Sequence, residues 1–167
     1  MWCLAITAAT CQSQGERRPE IGTGEPVPSL MLIDSADRST SLHAVAASDY
    51  QVVWVFNVDG CLKCMTDVYL WKTIASDYPD LSIIAVAIGD ESTARQLWSE
   101  EQPGFKLYTA SPAAAHAAGL RVHGSGVLVT VERQVVVYAA SGATAPFGDL
   151  LRLLRRDLCD PRGADML

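Results

Sequence analysis

Residues 52–65 read VVWVFNVDGCLKCM. An apolar run rich in β-branched residues gives way to Asp59-Gly60, and two cysteines follow, Cys61 and Cys64, with Leu62 and Lys63 between them. A continuous apolar run closed by a turn is the mark of a strand buried on both faces, as a parallel sheet requires. QVVWVFN, residues 51–57, is therefore read as an inner strand. From Cys61 to Tyr78, the residues Leu62, Met65, Val68 or Tyr69, Trp71 or Lys72, and Ala75 recur at three- and four-residue steps, and Pro79 stops the helix they describe. A dithiol at such a junction can be a redox pair, half of a metal site, or a well-packed turn.

Outward from the junction the alternation continues. LSIIAVAI, 81–88, is a second fully buried strand, and Gly89-Asp90-Glu91-Ser92 supplies caps for a helix through Glu101 that Pro103-Gly104 closes. FKLYTA is a short strand; Ser111-Pro112 is a cap followed by proline at the first helical position, and Gly119 ends that helix. GVLVTV (126–131) and QVVVYA (134–139) form a hairpin around Glu132-Arg133. A last helix runs from Pro146 to Leu158, with Leu150, Leu154 and Leu158 on one stripe, Leu151 beside it, and Arg152, Arg155 and Arg156 towards its carboxyl end. Upstream, SLMLID is a strand, ADRST a turn, and SLHAVAAS a helical turn starting at Ser41. Strands alternating with crossover helices imply a parallel core, and the closing hairpin adds antiparallel strands, so the fold class is α/β with a mixed sheet. Residues 12–28 carry Gly, Pro, Glu and Arg without apolar period and read as a tether, which divides the chain into a signal-like segment and tether (1–28), a folded domain (29–160) and a tail (161–167).

Composition narrows the function classes. With 167 residues, 49% apolar and 19% charged, the chain suits one domain with a real core. No run reaches the roughly 18 apolar residues that cross a bilayer. A net charge of -6 argues against nucleic acid or an anionic membrane surface as partner. Of the five cysteines (Cys3, Cys11, Cys61, Cys64, Cys159), only Cys61 and Cys64 have a spacing with chemical meaning; Cys159 is read as a packing residue or spare thiol. Trp54, Trp71 and Trp98 are read as core or groove residues, and the three arginines near the carboxyl end as a solvated face.

The position of the dithiol gives it a mechanism. Free N–H groups and the positive pole of a helix dipole favour a thiolate in the first helical turn, where a thiol falls from its usual ~8.5 to about 3.5–7.5. Lys63 acts in the same sense, and Asp59 opposes it from the preceding turn. Cys64, three residues on, lies on the same side as Cys61 and within reach of a small disulfide ring.

In these segments the chain resembles the thioredoxin superfamily, and within it the exported, membrane-tethered redoxin branch related to TlpA, ResA and DsbE. The resemblance spans about residues 28–158: SLMLIDSADRSTSLHAV is similar to the leading strand and the segment after it, VVWVFNVDGCLKC to strand plus active-site motif, LSIIAVAIGDES to the following strand and loop, and AAGLRVHGSGVLVTVERQVVVY to the segment that ends in the hairpin. It implies a thioredoxin-like three-layer α/β/α sandwich and thiol-disulfide exchange without a bound cofactor. Cys61 would be the nucleophile and Cys64 the resolving thiol, acting as a monomer on protein thiols and disulfides and recharged by a membrane electron donor. The pattern departs at named positions. Gly60 stands where relatives carry Trp, and Leu62-Lys63 replaces Gly-Pro or Pro-Pro. Val55 stands where some relatives bury a carboxylate. No proline occupies Ser125 or Gly126, where relatives place a cis-proline opposite the cysteines, and a cis bond without proline costs ~2.5–4 kcal/mol, so a different local backbone is expected there.

Two other chemistries use the same residues. Cys61, Cys64 and His123, with His116 on the preceding helix, have the donor set for Cu(I) or Zn²⁺, as in a metallochaperone of this fold. A non-catalytic thioredoxin-like interaction module would suit the missing proline. A thiol peroxidase would have Pro and Thr ahead of its reactive cysteine, and FNVDG offers neither; a Cys-His hydrolase has no marked base or oxyanion site. At the amino terminus, an apolar stretch ending Ala8-Ala9-Thr10-Cys11 resembles the close of a bacterial lipoprotein signal, with Cys11 as the lipidated residue. The expected location is extracytoplasmic, in the periplasm or cell envelope and lipid-anchored, with the cytoplasm as the second choice.

Overall fold

The computed structural model describes residues 23–46, 50–59, 62–120, 125–131, 135–142 and 147–159. Their elements run β1 (Met31–Ile33), β2 (Ser39–Ser41), α1 (Leu42–Val45), β3 (Tyr50–Asn57), α2 (Leu62–Asp77), β4 (Ser82–Ile88), α3 (Glu91–Glu101), β5 (Lys106–Ala110), α4 (Pro112–Ala117), β6 (Ser125–Val131), β7 (Val135–Gly142) and α5 (Phe147–Cys159). The strands form one sheet in the order β2-β1-β5-β4-β3-β6-β7. β3, β4 and β5 are parallel to their neighbours in that trio, while β1 meets β5, and β6 meets both β3 and β7, antiparallel. The mixed sheet expected from the sequence is present.

Alternation along the inner strands sends side chains to two cores. Val52, Trp54 and Phe56 of β3, with Ile83, Ala85 and Ala87 of β4, pack with Val68, Trp71 and Ile74 of α2, Ala94 of α3, and Leu150 and Leu154 of α5. Val53 and Val55 of β3 and Ile84, Val86 and Ile88 of β4 face the other way, onto Leu42 of α1 and Ala115 of α4. The crossovers β3-α2-β4 and β4-α3-β5 step the same way across the sheet. One handedness therefore lays both helices on one face, which makes the three layers. α5 joins that face through its leucine stripe: Leu150 and Leu154 are fully buried, worth roughly 1.5–3 kcal/mol each.

Three local details refine the sequence expectations. Ser39–Ser41 form a strand, because the turn is tighter than ADRST suggests: Asp34 Oδ1 accepts from the N–H of Ala36 at 2.8 Å and of Arg38 at 3.0 Å, and Asp37 takes a left-handed φ of 59°. α3 runs through Glu101 as expected, but Gln102, not the Pro-Gly pair behind it, supplies the left-handed cap, with φ at 44°. Ahead of residue 29, the N–H of Gly24 donates to Val136 O at 2.7 Å, the N–H of Val136 donates to Glu25 O at 2.9 Å, and Val27 is buried, so the end of the tether covers the outer edge of β7.

Candidate redox site

The parallel strands β3, β4 and β5 end at Asn57, Ile88 and Ala110, in line across the sheet. α2, α3 and α4 all begin at that edge, and antiparallel β6 enters there with Ser125 opposite Phe56. The connecting turns are tied together: the N–H of Val58 donates to Ile88 O at 2.9 Å, and that of Gly89 to Ala110 O at 3.3 Å. Helix amino termini gathered at the carboxyl edge of a parallel sheet concentrate free N–H groups and positive dipole ends there.

α2 starts at Leu62, so Cys64 and Lys63 belong to its first turn, while Gly60 and Cys61 lie outside the described residues. His123 and Cys11 lie outside them too, as do the side chains of Lys63 and Cys64. Asp59 is exposed, its N–H donating to Asn57 Oδ1 at 2.8 Å. Its carboxylate rests on Gly89, where an added methyl would meet Asp59 Oδ2 at 2.8 Å; with φ at +125°, that position accepts glycine alone. Ser125 and Gly126 are both buried at the head of β6, which places them at the same edge as Cys64. No cis peptide bond occurs among the described residues. His116 is exposed on α4, and no cluster of three or more metal-binding side chains occurs among the described residues.

Two features here escaped the sequence analysis. Asp67 is only 3% exposed, one turn beyond Cys64 on α2. Residues three and four apart lie on one face of a helix, so Asp67 shares a face of α2 with Lys63 and Cys64. Its signal was available: an acid at i+3 from the second cysteine, beside the stripe through Val68 and Trp71. The second is a buried hydrogen bond from Trp54 Nε1 to Ser125 Oγ, 2.7 Å long.

Across the sheet edge, Asp90 caps α3. Its Oδ1 accepts from the Ser92 hydroxyl at 2.6 Å and from the Thr93 N–H and hydroxyl at 2.8 Å each. These bonds, that of Ser92 foremost, lower the carboxyl from 3.8 to about 2. A depressed folded value means stability that is complete above the unfolded value of 3.8 and is lost as pH falls towards about 2. The melting-temperature gap between wild type and Asp90→Ala is therefore expected to be widest above about pH 5 and to close steadily below about pH 4. A gap that stays constant through acid titration would show that the cap is not the source.

The solution structure of a thiol:disulfide interchange protein from Bacteroides sp. matches with a TM-score of 0.68, covering 87% of this chain and 96% of that one at 15% identity. The fold is thioredoxin-like. A secreted disulfide oxidoreductase of Mycobacterium tuberculosis has the same thioredoxin-like frame, with a TM-score of 0.58 over 70% of this chain and 86% of that one at 11% identity. So does a thiol peroxidase from Chromobacterium violaceum, with 0.62 over 83% and 88% at 14% identity. Likeness at such low identity carries the thioredoxin-like architecture and leaves the chemistry to the residues placed on it. The sequence matches no family model, and no curated protein matches it.

Proposed function

We propose that this chain is a thiol-disulfide oxidoreductase in which Cys61 is the nucleophile and Cys64 the resolving thiol. The observation that carries it is the start of α2 at Leu62, straight after the inner strand β3, which puts Cys64 in a first helical turn at the edge where three helices begin. A thiolate at Cys61 attacks a partner disulfide; one partner sulfur bonds to Cys61 and the other leaves and takes a proton. Cys64 then gives up its proton and attacks the Cys61 sulfur, closing the intramolecular disulfide and releasing the second partner thiol. The partner gains two electrons and the dithiol loses them, to be restored by a membrane electron donor. Sulfur carries the electrons throughout, so the cycle uses no bound cofactor. Asp67 takes the proton from Cys64: it is shielded from solvent and lies one turn further along the same face of α2.

The chain acts as a monomer in the cell envelope, anchored by a lipid on Cys11. No described helix is long and apolar enough to cross a membrane. Incorporation of labelled palmitate that vanishes in Cys11→Ser is the expected sign of the anchor.

A redox titration of the Cys61/Cys64 pair by thiol trapping tests the exchange chemistry. A reversible couple between about -120 and -300 mV is expected, the span of known exchange proteins. Tight Cu(I) or Zn²⁺ binding through Cys61, Cys64 and His123, with an inert disulfide, would assign the chain to metal delivery instead. Neither behaviour would leave an interaction module.

A further inference from the structure

At the end of the sheet opposite the redox edge, where the parallel strands begin, Gln51 is the one polar residue in the buried stretch 51–56 of β3. It is 1% exposed, and its Oε1 has no hydrogen-bond partner among the described residues; Ser82, its neighbour in register on β4, does not satisfy it. A buried acceptor left unpaired is costly enough that folded chains seldom keep one without a reason. Gln51 also lines a cavity of about 460 Å³, a volume in the range of small-molecule sites. Its amide turns readily about the last side-chain bond, so the acceptor can be presented to that space.

The rest of the wall defines what fits. Lys106, at the start of β5, lines the same cavity, is exposed, and makes no ion pair among the described residues; no described acidic side chain lines the cavity. In register Gln51 lies beside Ser82, and Lys106 beside Ile84. By the two-residue period of a strand, Gln51, Ile84 and Lys106 share the face that carries Val53 and Tyr108. Two strand spacings across and two residues along put the backbones of Gln51 and Lys106 about 12 Å apart. Side chains projecting the same way keep that spacing, and one ring with a polar group at each end spans it, a hydrogen bond at both ends included. Ile84 supplies apolar surface beneath the ring.

We propose that this cavity binds a small organic acid with a ring-sized apolar body: the carboxylate meets Lys106 at the open rim, the body lies over Ile84, and a hydroxyl at the far end donates to Gln51 Oε1. An ion pair at an exposed rim is weak by itself, so the buried amide supplies the selectivity, favouring the acid that has the hydroxyl over one that lacks it. The site stands at the other end of β3 from Asn57 and is independent of the exchange chemistry proposed above.

NMR titration of the full chain with para-hydroxybenzoate, para-hydroxyphenylacetate and para-hydroxyphenylpropionate tests this, because the three hold the same phenol and carboxylate at increasing separation. At least one is expected to bind with a Kd of about 1 mM or tighter, as suits so few atoms. The amides of Gln51 and Ser82 should shift, while those of Val58 and Gly89 at the redox edge stay in place. The same acid without its hydroxyl should bind roughly tenfold more weakly, the loss of one buried hydrogen bond. Lys106→Met, an exposed change, and Gln51→Leu should each weaken the hydroxy acid to a similar degree, and Gln51→Leu should no longer distinguish the two acids. No binding up to about 10 mM, or shifts confined to the redox edge, overturns the proposal. Binding that neither variant weakens overturns it too. If Gln51→Leu fails to fold, the two acids and Lys106→Met decide: equal affinity of wild type for both acids, or full affinity in Lys106→Met, is then the overturning result.

Discussion

Cys61→Ser is expected to abolish disulfide exchange, and Cys64→Ser to convert the chain into a trap that holds its partner as a stable mixed disulfide. The two variants differ because the steps differ. Without Cys61 no partner sulfur is attacked, and turnover should fall roughly 10³-fold or more, the scale seen when one member of a catalytic unit is removed. Without Cys64 the first attack proceeds, but no neighbouring thiol resolves the product. Non-reducing electrophoresis after incubation with oxidised insulin should therefore show a covalent adduct for Cys64→Ser that dithiothreitol dissolves, and none for Cys61→Ser or the double variant. If the adduct forms through Cys64 when Cys61 is absent, the roles are reversed. If neither variant forms one, exchange chemistry is not what this dithiol does.

The architecture was legible because it rests on long apolar runs. QVVWVFN and LSIIAVAI have no amphipathic alternation, and in the structure their side chains enter cores on both faces, as such runs must. The caps at Asp90 and Ser111 were legible for a local reason, and the turn expected to start at Ser41 has that serine as its cap: each side chain accepts an N–H three residues along the same chain. What the sequence hid depends on distance along the chain. Trp54 and Ser125 meet only because β6 lies antiparallel to β3 in one register, and no short-range pattern announces a contact of that kind. β2 was hidden by composition: Ser39, Thr40 and Ser41 are polar, and they pair with Met31–Ile33 because Asp34 folds the turn back. Asp67 was missed for a different reason. A carboxylate beneath the cysteines was sought on β3, where Val55 stands, and Val55 points into the core shared with α1 and α4. The buried acid is on the helix instead.

That placement makes Asp67→Asn the most informative single substitution after the cysteines themselves. Asparagine keeps the size and hydrogen-bonding capacity of the side chain but cannot accept a proton as a carboxylate does. If Asp67 removes the proton from Cys64, the first attack by Cys61 is untouched and the resolving step slows about 10²-fold, the lower range for loss of a positioned general base. Two measurements separate these steps. Iodoacetamide alkylation of Cys61, in a Cys64→Ser background, should run at one rate with or without the Asp67→Asn substitution. Quenched-flow trapping with acid should show the mixed disulfide with insulin, fleeting in wild type, accumulating in Asp67→Asn. Asp67→Glu, which restores the acid on a longer stem, should recover part of the lost rate. A structural role would instead lower the melting temperature and slow both steps together. Should alkylation slow as much as resolution, the carboxyl acts on the nucleophile's surroundings and not on the proton of Cys64.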